Sequence, residues 1–304
     1  MNDVSYSIVT PTYNRAHLLT RLYESICAQK YINIEWIIVD DGSQDNTKEV
    51  IDAIMSNHTG FPIKYFYKDN GGKHTALNTG FSKSTNEMLL ILDSDDELTA
   101  NTLSRVSELW FDLKDNASIA GIIGLCRDAE TNDLIGTKFP KENMFSTITK
   151  NMFYFNRRGD TCDFIRTEYI KEYRFPELEG QRFIPESIVT YDLDKQYQYL
   201  CVNEVFEVKE YQKEGITKNF TRLAINNANG YFLRFEHLMH NCFLNQMSTK
   251  GKITVSANYY RYLWHSENAF SLKKLLDNKI NPFLILSGVV IGSVYYLKDK
   301  MTVK

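Results

Sequence analysis

Acidic side chains lie directly after an apolar run, in the segment Asp93-Ser94-Asp95-Asp96. The run before it, residues 88–92, is typical of a buried strand. Carboxylates at alternate positions just past such a strand can bind one hard cation, Mg2+ or Mn2+, of the kind that proteins share with a diphosphate. The alternative is a solvated acidic turn that caps the next helix, because Asp-x-Asp is common on its own. The position at a strand end favours a metal site.

Two further polar segments offer groups that can bind a nucleotide. Either aspartate of Asp40-Asp41-Gly42-Ser43 can accept a hydrogen bond from a base or ribose, or can cap the next helix. In Asn70-Gly71-Gly72-Lys73-His74, the glycines allow close backbone approach and Lys73 can offset phosphate charge. The chain lacks G-x-G-x-x-G and the first glycine of a P-loop. These absences weigh against dinucleotide oxidoreductases and P-loop NTPases.

Alternating strands and helices must position these segments. Apolar runs predict strands at residues 6–10, 34–39, 63–67 and 88–92. Helical spacing predicts helices at 14–26, with Asn14 as its cap, and at 47–55, 75–81 and 100–113. Short connections in this order imply a mostly parallel sheet with helices on both sides. Ligands of such sheets bind beyond the carboxyl ends of the strands, which is where the polar segments fall.

Length and composition set outer limits on the class of protein. The 304 residues suggest two domains, or one large α/β domain with an appendage. A net charge of −3 argues against a nucleic-acid partner held by bulk positive charge. Five separated cysteines without a Cys-x-x-Cys pair predict free thiols in a reducing compartment. The N-terminus lacks the basic and apolar regions of a signal peptide, so the expected location is the cytoplasm.

Four segments in order resemble family 2 glycosyltransferases with the GT-A fold. They are SIVTPTYNR at residues 7–15, IVDDGS at 38–43, NGGK with ALNTG at 70–80, and DSDD at 93–96. The resemblance covers residues 5 to about 115. It implies an α/β fold of the Rossmann-like GT-A type, a mostly parallel sheet flanked by helices, with a C-terminal helical appendage. It also implies inverting, metal-dependent transfer of a sugar from a nucleotide sugar, usually a UDP-sugar, to a saccharide acceptor.

The resemblance assigns roles to individual residues. Pro11, Tyr13 and Asp41 match positions that hold the nucleoside, with Asp41 as the partner of the base. Lys73 matches a basic position near the base and the diphosphate. Asp93 matches the contact to ribose or to metal-bound water, and Asp95 matches the direct ligand of the metal, Mn2+ or Mg2+.

Inverting transfer also needs a carboxylate that takes the proton of the acceptor hydroxyl. Residues 180–187 resemble the acceptor-side motif of the family, in which an acidic residue follows an aromatic-rich turn and opens a helix. Glu186 is therefore the candidate base, although a glutamate at a helix N-terminus is also favoured by the helix dipole. The family often has Glu-Asp here and this chain has Glu186-Ser187. Asp192 and Asp194 are the other candidates.

Three further segments carry expectations of their own. Asp163 is expected either to contact the donor sugar or to pair with Arg166. Alternation over residues 205–211 predicts an edge strand. Residues 212–219 resemble a loop that closes over the diphosphate in related folds. Thr217, Lys218 and Arg222 are its candidate contacts, and a solvated loop is the alternative.

The C-terminal part is predicted to be helical, with an uncharged run at residues 280–297 between Lys279 and Lys298. Three interpretations of that run remain open: a membrane-spanning helix, a helix packed on the protein, and a helix in the interface of the inner leaflet. The predicted division is a catalytic GT-A domain at 1–220 and a helical extension at 221–304. Within the catalytic domain, residues 1–115 form the nucleotide-binding half and residues 116–220 the acceptor half.

The resulting hypothesis is a glycosyltransferase of bacterial surface-polysaccharide synthesis, such as capsule or O-antigen. Its acceptor would be a saccharide on a lipid carrier at the inner face of the cell membrane, with peripheral membrane contact through residues 280–297. A sugar-1-phosphate nucleotidyltransferase is one alternative. That class needs a glycine-rich loop after the first strand, where this chain has Pro11-Thr12-Tyr13-Asn14-Arg15. A non-catalytic nucleotide-sugar binding protein is the other alternative.

Overall fold

The structure is a computed structural model that describes residues 4–212, 220–266 and 280–302. The chain divides into two compact units. The first unit comprises Met1–Ser146, Arg158–Arg174 and Gln196–Gln212, and the second comprises Thr147–Arg157, Phe175–Lys195 and Lys213–Lys304. The division into units therefore does not follow a single cut in the sequence. The functional division at residue 220 stays a prediction.

The first unit contains the sheet and its covering helices. Its strands are β1 (Tyr6–Thr12), β2 (Ile34–Asp40), β3 (Ile63–Tyr67), β4 (Met88–Ile91), β5 (Asp96–Leu98), β6 (Ile119–Asp128), β7 (Met144–Ser146), β8 (Thr161–Arg166) and β9 (Gln198–Lys209). Its helices are α1 (Ala16–Cys27), α2 (Thr47–Asn57), α3 (Lys73–Lys83), α4 (Thr102–Phe111) and α6 (Thr167–Ile170).

Within the described residues the strands form one nine-stranded sheet. Its order is β3-β2-β1-β4-β8-β6-β9-β5, and β7 pairs with β9 off this path. The four strands β3-β2-β1-β4 are parallel, as predicted. Strand β8 is antiparallel to both of its neighbours, so the complete sheet is mixed. The predicted α/β fold with a Rossmann-like parallel half is confirmed.

Burial explains why the first half of the chain folds as its pattern predicts. Every residue of β1 and β2 is buried, because helices cover both faces of the parallel strands. The apolar stripe of α1 is buried through Leu18, Leu19, Leu22 and Ile26. Leu19, Leu22 and Ile26 join the apolar core of the first unit.

Two local predictions are wrong. Asn14 does not cap α1, because Arg15 occupies the N-cap position and the Asp45 carboxylate accepts from the amide of Ala16. The segment at 205–211 is not an edge strand, because β9 lies between β6 and β5 and pairs with both. Its alternation arises from the buried charged residues described below rather than from a solvated face.

The second unit is helical within its described residues. It contains α5 (Ile148–Phe153), α7 (Ser187–Leu193), α8 (Phe220–Asn226), α9 (Ala228–Leu238), α10 (Asn241–Leu244), α11 (Thr249–His265) and α12 (Pro282–Thr302). Aromatic side chains at helical spacing form its core, as in the stacked rings of Tyr231, Tyr262 and Phe235. The helical C-terminal part is thus as predicted. Helix α12 is long and apolar enough to cross a membrane by length and composition, a test that core helices also pass.

Candidate functional site

The carboxyl ends of adjacent parallel strands carry the predicted polar segments. Thr12 at the end of β1 pairs with Asp40 at the end of β2, and the Asp41 amide donates to the Thr12 carbonyl at 2.9 Å. Beside them, the Leu92 amide at the end of β4 donates to the Val9 carbonyl at 3.0 Å. The parallel register therefore places the segments that begin at Asp40 and Asp93 along one edge of the sheet.

The acidic segment after β4 forms a compact carboxylate cluster. One oxygen each from Asp93, Asp95 and Asp96 lies within 4.8 Å of the others. Asp95 is partly exposed, and the Arg15 guanidinium stands 3.6 Å from its carboxylate. Burial, together with the neighbouring charges of Asp93 and Asp96, raises the pKa of Asp95 to about 6. The cluster thus concentrates more negative charge around Asp95 than its cationic neighbours offset.

Lys73 holds the first aspartate of the cluster. Its ammonium lies 2.6 Å from both carboxylate oxygens of Asp93. Burial alone would raise the pKa of Asp93, but the charges of Lys73, Lys209 and Arg15 hold it below its ordinary value. Asp93 therefore stays ionised beside Asp95. Lys73 and Asp93, which the resemblance places near the diphosphate and the ribose respectively, are therefore hydrogen-bonded to each other.

Asp96 belongs to a buried charge network that sequence reasoning missed. The Lys209 ammonium lies 2.6 Å from Asp96 and 2.7 Å from Glu207, and both carboxylates are almost fully buried. Burial and the charge of Glu207 raise the pKa of Asp96 well above its ordinary value. Lys209 and Glu207 come from β9, which pairs with β5 in antiparallel register. The sequence signal was Glu207 and Lys209 alternating with the apolar residues Phe206 and Val208.

Arg21 on α1 fixes the turn that carries Asp95. Its guanidinium donates to the Asp95 carbonyl at 2.7 Å and lies 3.0 Å from the Glu97 carboxylate. It also pairs with Glu210, at the end of β9. Sequence reasoning missed this residue as well, because a polar position on an amphipathic helix carries no sign of a partner 74 residues away.

Asp41 organises the glycine turn. Its buried carboxylate accepts from the amides of Gly71 at 3.0 Å and Gly72 at 2.7 Å, and from the Lys68 ammonium at 2.7 Å. Gly72 has φ +95°, a conformation that favours glycine, and it precedes the first residue of α3. The Asp41 carboxylate thus joins the segment after β2 to the Gly71-Gly72 turn.

The remaining predicted donor residues occupy the start of the same edge. Pro11 is buried within β1 opposite Val39. Tyr13 follows β1 with 45% of its surface exposed. An exposed aromatic ring beside the acidic segments is a suitable stacking surface for a planar base.

The candidate bases lie in the second unit. Glu186 occupies the N-cap position of α7 and is partly buried. Asp194 is buried, and its carboxylate accepts from the amides of Ile148 and Thr149 at the start of α5, which makes it a cap. Asp192 pairs with Lys195 and lies 2.8 Å from the His237 imidazole. Asp192 and Asp194 thus both have structural partners.

The remaining predicted contacts are the pairing of Asp163 with Arg166 and the contacts to the diphosphate. The Arg166 guanidinium donates to the carbonyls of Ile119 at 2.9 Å and Lys114 at 2.6 Å and stands 3.8 Å from Glu168. These partners, and not Asp163, are the ones that hold it. Thr217 and Lys218 lie outside the described residues, and Arg222 is exposed on α8.

The chemistry of the carboxylate cluster fits a divalent cation. Asp93 and Asp95 present hard oxygen ligands, which Mg2+ and Mn2+ prefer, and the raised pKa of Asp95 reflects negative charge that a cation would offset. Asp93 and Asp96 are less suited to direct contact than Asp95, because Lys73 and Lys209 already occupy their carboxylates. The donor set thus favours Asp95, with Asp93 beside it.

Comparison with known families assigns the chain to a class. The model of the family described as "Glycosyl transferase family 2" matches residues 7–172, more than half of the chain. The chain therefore belongs to glycosyltransferase family 2, and it is a transferase.

Two relatives show how far the similarity extends. A GalNAc(5)-diNAcBac-PP-undecaprenol beta-1,3-glucosyltransferase of Campylobacter jejuni is 26% identical over 296 residues, 92% of this chain and 91% of that one. An uncharacterized glycosyltransferase of Nostoc sp. is 36% identical over 104 residues. That match covers 34% of this chain and only 32% of the relative.

Solved structures show the same fold. TarS of S. aureus, residues 1–349 in complex with UDP-GlcNAc, has a TM-score of 0.59 at 15% identity, covering 97% of this chain and 92% of that one. In another TarS structure, the similarity covers 55% of the TarS chain. The mannosyltransferase PcManGT of Pyrobaculum calidifontis, in complex with GDP-Man and Mn2+, has a TM-score of 0.53 at 17% identity, covering 99% of this chain and 89% of that one. The fold is of the GT-A type.

Proposed function

We propose that this transferase moves a sugar from a nucleoside-diphosphate sugar, with UDP as the nucleotide, to a saccharide acceptor with inversion at the anomeric carbon. The observation that carries the proposal is the carboxylate cluster of Asp93, Asp95 and Asp96 at the same sheet edge as Asp41 and the glycine turn. Neighbours of the same fold that bind UDP-GlcNAc or GDP-Man with Mn2+ support it.

The residues of the first unit would bind and orient the donor. Asp95, with Asp93 beside it, would hold Mn2+ or Mg2+, which when bound stabilises the charge of the departing diphosphate. Lys73 would share its positive charge between Asp93 and the diphosphate. Asp41 would hold the Gly71-Gly72 turn against the nucleoside and accept from the base, while Pro11 and Tyr13 border the nucleoside.

Glu186 would act as the general base. In inverting transfer, the base removes the proton of the acceptor hydroxyl as its oxygen attacks the anomeric carbon and the bond to the diphosphate breaks. Asp192 lies against His237, and Asp194 accepts from the amides at the start of α5. The choice of Glu186 over both rests on its place in the segment that resembles the acceptor-side motif. Glu186 stands directly before α7, where the acidic residue of the acceptor-side motif is expected.

The proposed acceptor is a growing saccharide on a lipid carrier of bacterial surface-polysaccharide synthesis. The printed name of the Campylobacter relative, which is similar over nearly the whole chain, specifies an undecaprenyl-diphosphate-linked saccharide and supports this choice. A lipid-linked acceptor places the enzyme at the inner face of the cell membrane. Peripheral contact through residues 280–297 would serve that location.

Replacing Asp95 tests the donor and metal assignment. We expect Asp95→Asn to lower Mn2+-dependent hydrolysis and transfer of UDP-sugars by at least about 100-fold, an order-of-magnitude estimate for lost electrostatic stabilisation. Asp115→Asn, at an exposed position, is the matched control. Release of UDP identifies a glycosyltransferase, whereas release of pyrophosphate would identify a nucleotidyltransferase. Metal-dependent binding without turnover of any nucleotide sugar would also contradict the proposal.

Replacing Glu186 tests the base separately. We expect Glu186→Gln to lower transfer by roughly 100- to 10,000-fold while UDP binding is retained, because only proton removal is lost. Glu179→Gln, at an exposed position shortly before it, is the control. Normal transfer by Glu186→Gln, with loss in Asp192→Asn, would reassign the base to Asp192.

A further inference from the structure

Helix α12 carries an unusually apolar exposed face. Six large side chains recur along it at intervals of three or four residues and are 57–72% exposed. They are Phe283, Leu286, Val290, Val294, Leu297 and Met301. This spacing aligns them on one side of a helix, in a band about 27 Å long at 1.5 Å per residue. We call this band the α12 stripe.

The opposite face of α12 is already packed. Gly288 and Gly292 lie one turn apart and are buried against α11. A Cβ at Gly292 would lie 2.5 Å from the Ala257 carbonyl oxygen, and one at Gly288 would overlap the Ser256 hydroxyl. Because this contact is made backbone to backbone, α12 cannot turn its stripe toward α11. The stripe is therefore an outward surface of the second unit.

The charged residues of α12 also differ between its two faces. Its single acidic residue, Asp299, is buried, and both of its oxygens accept from the Arg261 guanidinium at 2.6 Å. His265 of α11 stands 3.1 Å from the same carboxylate. Lys298 and Lys300 are exposed and, at about 100° per residue, flank the stripe on opposite sides. The described outer surface of α12 thus combines an apolar band with positive charge.

We propose that the α12 stripe lies in the plane of an anionic membrane surface, with Lys298 and Lys300 at the level of the lipid headgroups. An apolar band flanked by lysines matches the two requirements of an interfacial helix, apolar insertion and attraction to anionic lipid. The helix does not span the bilayer, because its inner face is packed on α11 and carries the Asp299–Arg261 ion pair. The proposal deepens the membrane contact proposed above and rests on it for the choice of leaflet.

Vesicle sedimentation of the full chain tests the proposal. The wild type should sediment with vesicles of phosphatidylcholine and phosphatidylglycerol and much less with phosphatidylcholine alone. The triple variant Leu286→Gln, Val290→Gln, Val294→Gln should bind at least about tenfold more weakly, since it removes apolar insertion. Lys298→Gln with Lys300→Gln should weaken binding to the anionic vesicles by roughly fivefold per lysine.

The controls separate this proposal from the others. Ile32→Gln, Met55→Gln and Phe111→Gln replace exposed apolar side chains of the first unit and should leave vesicle binding unchanged. Circular dichroism verifies that each variant is folded. Absence of wild-type binding to anionic vesicles, or equal binding by the triple variant, overturns the proposal. So does a dimer in analytical ultracentrifugation that the triple variant abolishes, because the stripe then binds a second copy. UDP-sugar hydrolysis without vesicles is a separate readout, so an inactive protein that binds vesicles overturns only the proposed reaction.

Discussion

At the scale of single residues, the site is defined by how each carboxylate is compensated. Asp93 has Lys73, Asp96 has Lys209, and Asp41 has Lys68 and two backbone amides. Asp95 has the weakest compensation, an arginine at 3.6 Å, and its pKa is raised to about 6. A cluster in which one carboxylate has only a guanidinium at 3.6 Å, while each neighbour has an ammonium at 2.6 Å, is suited to receive a metal ion at that carboxylate.

Lys209 should be essential for stability, because it separates two buried carboxylates. We expect Lys209→Met to lower the free energy of unfolding by about 3–5 kcal/mol, since Asp96 and Glu207 would be left buried without a cation. Urea unfolding measures the change. The double variant Lys209→Met, Glu207→Gln should recover part of the loss, because it removes one of the unpaired charges. A loss below about 1 kcal/mol in the single variant would contradict this account.

At the scale of elements, one glutamate joins three parallel strands at the end of the sheet away from the site. The Glu35 carboxylate on β2 accepts from Ser7 of β1 at 2.5 Å and from Lys64 of β3 at 2.5 Å. It also accepts from the amide of Thr85, before β4, at 2.6 Å. Burial would raise the pKa of Glu35, but these hydrogen bonds outweigh it and hold the pKa below the ordinary value of 4.5.

The lowered pKa predicts how stability depends on pH. The ionised form of Glu35 is favoured by folding, so its contribution is present above pH 4.5 and is lost as pH falls through the lower folded pKa. We expect Glu35→Gln to cost about 1–3 kcal/mol at pH 7. The difference from the wild type should narrow below pH 4.5, as measured by urea unfolding across pH. Glu24→Gln, at an exposed position in the interior of α1, should show neither effect. If the difference in unfolding free energy between the wild type and Glu35→Gln widened below pH 4.5, the lowered pKa of Glu35 would be refuted.

At the scale of the whole molecule, functions are divided between two units that the chain enters more than once. The first unit carries the parallel strands and every proposed donor residue, and the second carries Glu186 and the α12 stripe. Residues 147–157 and 175–195 belong to the second unit although strands precede and follow them in the sequence. The acceptor half proposed at 116–220 therefore contributes to both units.

Nucleotide and metal together should stabilise the whole protein. A ligand at about 100 times its Kd adds about 2.7 kcal/mol of stability, which for a chain of this size raises Tm by roughly 4 °C. We expect UDP with Mn2+ to produce such a rise in calorimetry and UDP with a chelator to produce a much smaller one. Asp95→Asn should show the smaller rise under both conditions. An equal rise in Tm with and without metal would argue against a metal-linked donor site. A larger rise in Tm with GDP than with UDP would reassign the nucleotide to GDP.

The sequence by itself determined the parallel half of the fold, the sheet edge that carries the candidate site residues, and the family. These follow from local features, since apolar runs predict strands and parallel strands bring their carboxyl ends to one edge. Only the tertiary structure decided that β9 is internal and that Lys209 pairs with Asp96, a contact across 113 residues. It also decided that Asp194 caps α5 and which face of α12 is exposed. The physical reason is that burial of a charge or of an apolar face depends on which distant segment packs against it, and local spacing does not record that partner.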